Sequence, residues 1–316
     1  MNIRIVSVLF LALAYAGVAS AQEDHEHHHH GGTGAGEPPA YGDVHFQTSC
    51  SPEAQTAFQM GVAELHSFEY ETAANQFKKV QQQDSGCAVA YWGEAMTIYH
   101  PLWNHLSESD VAEGAALVKK AERAKKSSAR EKAYIAALAA LYKPGKISSE
   151  DRATAYSEKM AKVHISYPDD EEAAVFYALA LDATWPPTDS TYANLKKAAG
   201  ILETVWAEQP NHPGVVHYLI HSYDVPALAP QGLKAARVYA AIAPAVPHAQ
   251  HMPSHIFTRL GLWQESIESN LVGHRAAKAY AEKTYGPGGF LVVAAAPPRA
   301  SPAGARITRR SSARAV

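Results

Sequence analysis

No stretch of this chain alternates apolar and polar residues strictly, so β-strands have no pattern to form on. Beyond the first residues no run is apolar enough for the roughly 20 residues that a membrane helix needs. Lys and Arg number 28 against 31 Asp and Glu, which leaves no concentrated basic face and excludes the usual nucleic-acid partner. Enzyme signatures are missing too: there is no Gly-x-Ser-x-Gly elbow, no Cys-x-x-Cys and no phosphate-cradling glycine loop. The glycine-rich run from Gly31 to Gly36 follows no strand and opens no helix, so it reads as linker. Cysteine is scarce, with only Cys50 and Cys87.

The segments that are present divide the chain. Arg4, an apolar run from Ile5 to Ala16, and the small residues Ala19, Ser20 and Ala21 read as a signal peptide over 1–21, cut ahead of Gln22. The expectation is an exported protein, periplasmic or secreted, with no membrane span after cleavage. In that compartment two cysteines suggest a Cys50–Cys87 disulfide, with a pair of free buried thiols as the alternative. Residues 22–48 carry His25 and His27 to His30 among glycines and prolines. That composition reads as a disordered linker, able by itself to capture borderline metals flexibly. After Glu282 come five arginines (Arg299, Arg306, Arg309, Arg310, Arg314) and no acid. The stretch 284–316 therefore reads as a disordered basic tail, or as sequence foreign to what precedes it, such as a shifted reading frame.

Between these ends, residues 49–283 are a succession of alanine-rich amphipathic segments bounded by Pro, Gly and Ser or Asp caps. The pattern predicts helices over 52–66, 70–84, 87–100, 109–126, 128–142, 149–166, 169–183, 190–208, 213–224, 230–243, 249–260 and 263–282. Short connections make neighbours antiparallel. The reading is an all-α chain, an α-solenoid of about six helical hairpins at 34- to 43-residue spacing, with disordered tails.

Three places carry a family likeness. Gly61, Tyr70, Ala73 and Phe77 fall in one order; Tyr91, Trp92 and Ala95 begin the next unit; Leu260, Gly261, Leu262, Trp263 and Ser266 form a last turn. These resemble the tetratricopeptide repeat, in which a small residue on one helix accepts a bulky one from its neighbour. Between 101 and 247 the match is loose. The resemblance implies that the inner face of the first helices binds an extended peptide or a partner protein. Its expected groove residues are Phe58, Leu65, His66, Trp92, Met96, Tyr99, His100, Thr258 and Arg259.

Histidine, with 17 copies, is the unusual residue. His217, His221 and Asp224 share one helical stripe, and His248, His251 and His255 follow at three and four spacing. Imidazole is the commonest protein ligand for zinc and copper, so these six residues are candidate ligands for Cu or Zn. The competing reading makes them groove-lining or capping groups packed on Tyr218 and Tyr223. His45, His105, His164 and His274 read as surface or packing residues. His217 and His221 have the spacing of zinc-protease ligands, but Tyr218 replaces the general-base glutamate, so catalysis is not the favoured reading. The sequence thus supports a binding scaffold first, a metal-binding protein or metalloenzyme second, and a purely structural envelope component third.

Overall fold

The computed structural model describes residues 40–103 and 105–287, without the side chains of 284 and 285. The signal-peptide reading and most of both tails lie outside the described residues. Among the described residues the chain is all-helical, with thirteen segments and no strand. In order these are α1 (Pro52–His66), α2 (Tyr70–Gln83), α3 (Ala88–Met96), α4 (Glu108–Arg123), α5 (Ala129–Leu141), α6 (Ser149–Ser166) and α7 (Glu171–Ala183). They continue as α8 (Ala193–Glu208), α9 (Pro213–Tyr223), α10 (Ala229–Ile242), α11 (Pro247–His251), α12 (Pro253–Arg259) and α13 (Trp263–Tyr285).

Local chemistry sets the ends. Ser107 with Asp110 and Ser128 with Glu131 form capping boxes at α4 and α5, each satisfying two backbone donors that the first turn leaves free. Ser148 and Asp170 accept from the first turns of α6 and α7. The expected helix 87–100 stops at Met96, where the Thr97 hydroxyl donates to the Glu94 carbonyl. The expected helix 249–260 is two pieces. Pro253 has no amide hydrogen to continue α11, so α12 starts afresh at the proline while Met252 stays in right-handed geometry between them.

Each helix packs on the next, and α1, α3 and α5 also touch in succession, as do α7, α9 and α12. Close approach uses glycine: a Cβ on Gly61 would stand 3.0 Å from the Phe77 ring, and one on Gly93 would run into the same ring. Gly114 receives Tyr142 in the same way.

One further contact changes the inner surface: α1 packs against α9. The chain before α1 adds to it. Ala245 donates to the Ala40 carbonyl and Asp43 to the Asn211 carbonyl, both at 3.1 Å, while Ser49 bonds Glu131 and Ser51 bonds Asp84. Phe46, fully buried, lies among Phe58, Trp92 and Tyr134. Residues 40–48 are therefore ordered, contrary to the expectation of a linker reaching 48. The glycine and histidine bias ends near residue 39, and Tyr41, Val44 and Phe46 have apolar surface to bury.

Cys50 and Cys87 are joined by a disulfide, which ties this leading segment to the start of α3 and points to an oxidising environment. No described helix is long and apolar enough to cross a membrane.

Candidate metal centre

Helix α9 is buried along nearly its whole length and carries His217 and His221 one turn apart. His248 and His251 sit on α11 and His255 on α12. These helices bring five imidazoles together. The Nε2 atom of His217 is 3.0 Å from Nε2 of His248 and 3.1 Å from Nε2 of His221, and the three rings offer nitrogens that all lie within 4.8 Å of one another. The Nε2 atoms of His251 and His255 are 3.1 Å apart.

The outer nitrogen of His217 is anchored. Nδ1 of His217 lies 2.7 Å from the His66 carbonyl oxygen. A carbonyl only accepts, so this nitrogen carries the hydrogen. Burial first, and the neighbouring His221 second, hold the His217 pKa well below the usual histidine value, so the ring is neutral and its Nε2 presents a bare lone pair. One in-plane lone pair accepts one N–H, yet two imidazole nitrogens face it. His248 is also held neutral by burial and by His217, and its Nδ1 is buried with no hydrogen-bond partner. His221 is lowered to about 3, by burial and then by His255. The group cannot be satisfied by hydrogen bonds alone, whereas one cation takes all three lone pairs. At metal–nitrogen distances of about 2.0–2.1 Å, tetrahedral ligands stand roughly 3.3 Å apart. The two separations from His217 Nε2, to His248 and to His221, are within about 0.3 Å of that.

The floor is apolar and the mouth polar. Phe68 contacts the rings of His217, His221 and His248, with centroids 4.4, 5.8 and 5.6 Å away. Tyr239 stacks on His217 and Trp103 stands near His248. At the mouth Asp224 accepts from His255 at 2.8 Å and from Arg259 at 2.9 Å. Burial opposes its ionisation, but those two donors hold its pKa below the usual carboxylate value.

A second group of potential ligands, His66, Glu172 and His212, is fully buried but differently built. Nδ1 of His212 accepts from the Val215 amide as the cap of α9, so its Nε2 donates to Glu172 at 3.0 Å. Nε2 of His66 donates to the other carboxylate oxygen at 2.8 Å, and Tyr218 donates to its Nδ1. Although burial opposes it, the two imidazoles hold the Glu172 carboxyl far below its ordinary range. Every nitrogen here has a partner, so this trio is a structural bolt between α1, α7 and α9.

Of the residues expected to line a groove, Phe58, Leu65, His66, Trp92, Met96 and Tyr99 are interior. The physical reason is the α1–α9 contact and the Phe46 side chain, which together turn the inner face into core. His100 is half-buried and stacks on Tyr70, and Thr258 and Arg259 are exposed. The six expected metal-binding residues do meet, but Asp224 meets them through His255. Tyr218 packs on His217, whereas Tyr223 points away to Glu203. Sequence reasoning missed Phe68, Trp103, Tyr239 and Asn270, none of which has a periodic or motif signal. Glu172 did leave one: it is one of two acids heading a long apolar run, Ala173 to Leu181.

No protein-family model matches the chain and no curated protein matches it.

Proposed function

We propose that this protein is an exported, tetratricopeptide-like helical repeat protein that binds copper, and zinc more weakly, at a centre built on His217, His221 and His248. The observation that carries the reading is the convergence of three Nε2 atoms when the far nitrogen of His217 is already committed to a backbone carbonyl. A fixed outer hydrogen bond is how ligating histidines are normally held. An all-imidazole site follows the general affinity order that favours copper over zinc. The alternative of a peptide-binding groove loses most of its anchors to the interior.

The test is elemental analysis of the full chain with His25, His27, His28, His29 and His30 replaced by alanine, after loading with copper or zinc and desalting. Retained copper that falls by at least one equivalent in His217→Ala/His221→Ala supports the reading. Metal-free protein after loading, or a content unchanged by that substitution, overturns it.

A further inference from the structure

His251 and His255 repeat the device of the three-histidine site without belonging to it. Two ligands of one ion stand at most about 4.2 Å apart, twice the metal–nitrogen distance. The group within 4.8 Å contains His217, His221 and His248 only. His251 and His255 are thus outside that coordination sphere, though their rings neighbour it, with centroids 6.2 Å from His248 and 6.1 Å from His221 respectively.

Their tautomers are set from outside. Asn270 donates its amide to the Ser266 carbonyl at 2.8 Å, which turns its oxygen toward His251, and Nδ1 of His251 donates to that oxygen at 2.8 Å. Nδ1 of His255 donates to the Asp224 carboxylate at 2.8 Å, itself anchored by Arg259. With both outer nitrogens carrying hydrogens, the two Nε2 lone pairs face each other at 3.1 Å. Such a contact is repulsive unless a cation lies between them. Asp224 places a negative charge one imidazole away, and His255 and Asp224 are only partly buried, with side chains 30% and 22% exposed, so an ion entering here keeps solvent ligands.

We propose that the centre takes two metal ions, the second, a copper or zinc ion, held by Nε2 of His251 and His255 and completed by solvent, with Asn270 and Asp224 as positioning residues. This rests on the reading of the first site above, and the two fail separately.

The experiment is copper loading of the full chain lacking the tail histidines as above, with copper counted per chain and helicity followed by circular dichroism. Two equivalents are expected. His255→Ala, at a position whose side chain is 30% exposed, should leave one with helicity unchanged, and so should His251→Ala/His255→Ala. Asn270→Leu should weaken the second equivalent by about 10- to 100-fold and leave the first unchanged. A single equivalent in the parent, unaffected by His255→Ala, overturns the second site while sparing the first; it means that a proton bridges the pair. Two equivalents that survive His251→Ala/His255→Ala also overturn it. No bound copper at all overturns both.

Discussion

Phe68 stands at φ 59°, in the left-handed region that costs a residue with a Cβ roughly 1 kcal/mol or more. It occupies the position just past the cap of α1, where Phe68 donates to the Leu65 carbonyl and Glu69 to the Glu64 carbonyl, a helix ending that normally uses glycine. The same pair of bonds closes α12, and there the residue is Gly261 at φ 72°. The strain at α1 is offset by burial of the ring against three histidines. Two substitutions separate these terms. Phe68→Ala and Phe68→Gly should both destabilise, by about 2–4 kcal/mol from the lost ring. Glycine should be the better tolerated by about 1 kcal/mol, reversing the usual order. Chemical denaturation reads this directly, and alanine equal to or better than glycine would remove the strain argument. Nothing in the sequence announces this residue, because a lone aromatic after a helix is ordinary until its backbone angle is known.

At the scale of elements, helices were legible wherever spacing and caps agreed. The run from Ala129 to Leu141 shows both, with Ser128 and Glu131 in a capping box at its start. Two ends have causes outside periodicity: Thr97 turns its hydroxyl back onto α3, and Pro253, which the sequence itself offers as a helix start, opens α12 while His248 and His251 form the separate turn α11 rather than an unstructured lead-in. Small residues set the helix contacts here. Gly93 and Gly61 make room for Phe77 from α2, so three helices meet at one ring. Gly93→Ala, which on an exposed helix would stabilise by about 1 kcal/mol, should here cost about 1–3 kcal/mol by overpacking. Gly200→Ala on α8, where a Cβ meets nothing within 4 Å, is the matched control. A comparison of their melting temperatures checks the pair; equal effects would mean that the α2–α3 contact has slack.

For the whole molecule, stability of the metal-free protein should peak near pH 6.5, because two sets of buried groups pull in opposite directions. Burial pushes Glu64 up to about 7, and burial with the charge of Glu64 pushes Glu69 up to about 8. The fold holds protons there that an unfolded carboxyl, near pKa 4.3, releases. Their contribution is complete below about pH 4.3 and is lost as pH rises toward 8. His217, His221, His248 and His251 are lowered by burial, so their contribution is complete above the unfolded value of about 6.5 and is lost as pH falls. Burial also raises Asp182 and lowers His66, so between those limits the five histidines outnumber the three carboxyls; above 6.5 only the carboxyls titrate. Denaturation midpoints from pH 4.5 to 8.5 should show the maximum, and Glu64→Gln/Glu69→Gln should flatten its alkaline side. An alkaline side unchanged by that double substitution would show that other groups set it.

The sequence by itself determined that the described chain is helical, roughly where each helix lies, and that histidines cluster on the last helices. These follow from local spacing and capping chemistry, which act within a few residues; for Cys50 and Cys87 it left a bridge or two buried thiols, and the structure shows the bridge. Only the tertiary structure decided what the inner face became. Packing of α1 on α9 and insertion of Phe46 turned an expected groove into core. The same long-range contact brought the His66 carbonyl to His217, and that hydrogen bond, between residues 151 apart, fixes which of its nitrogens keeps a lone pair.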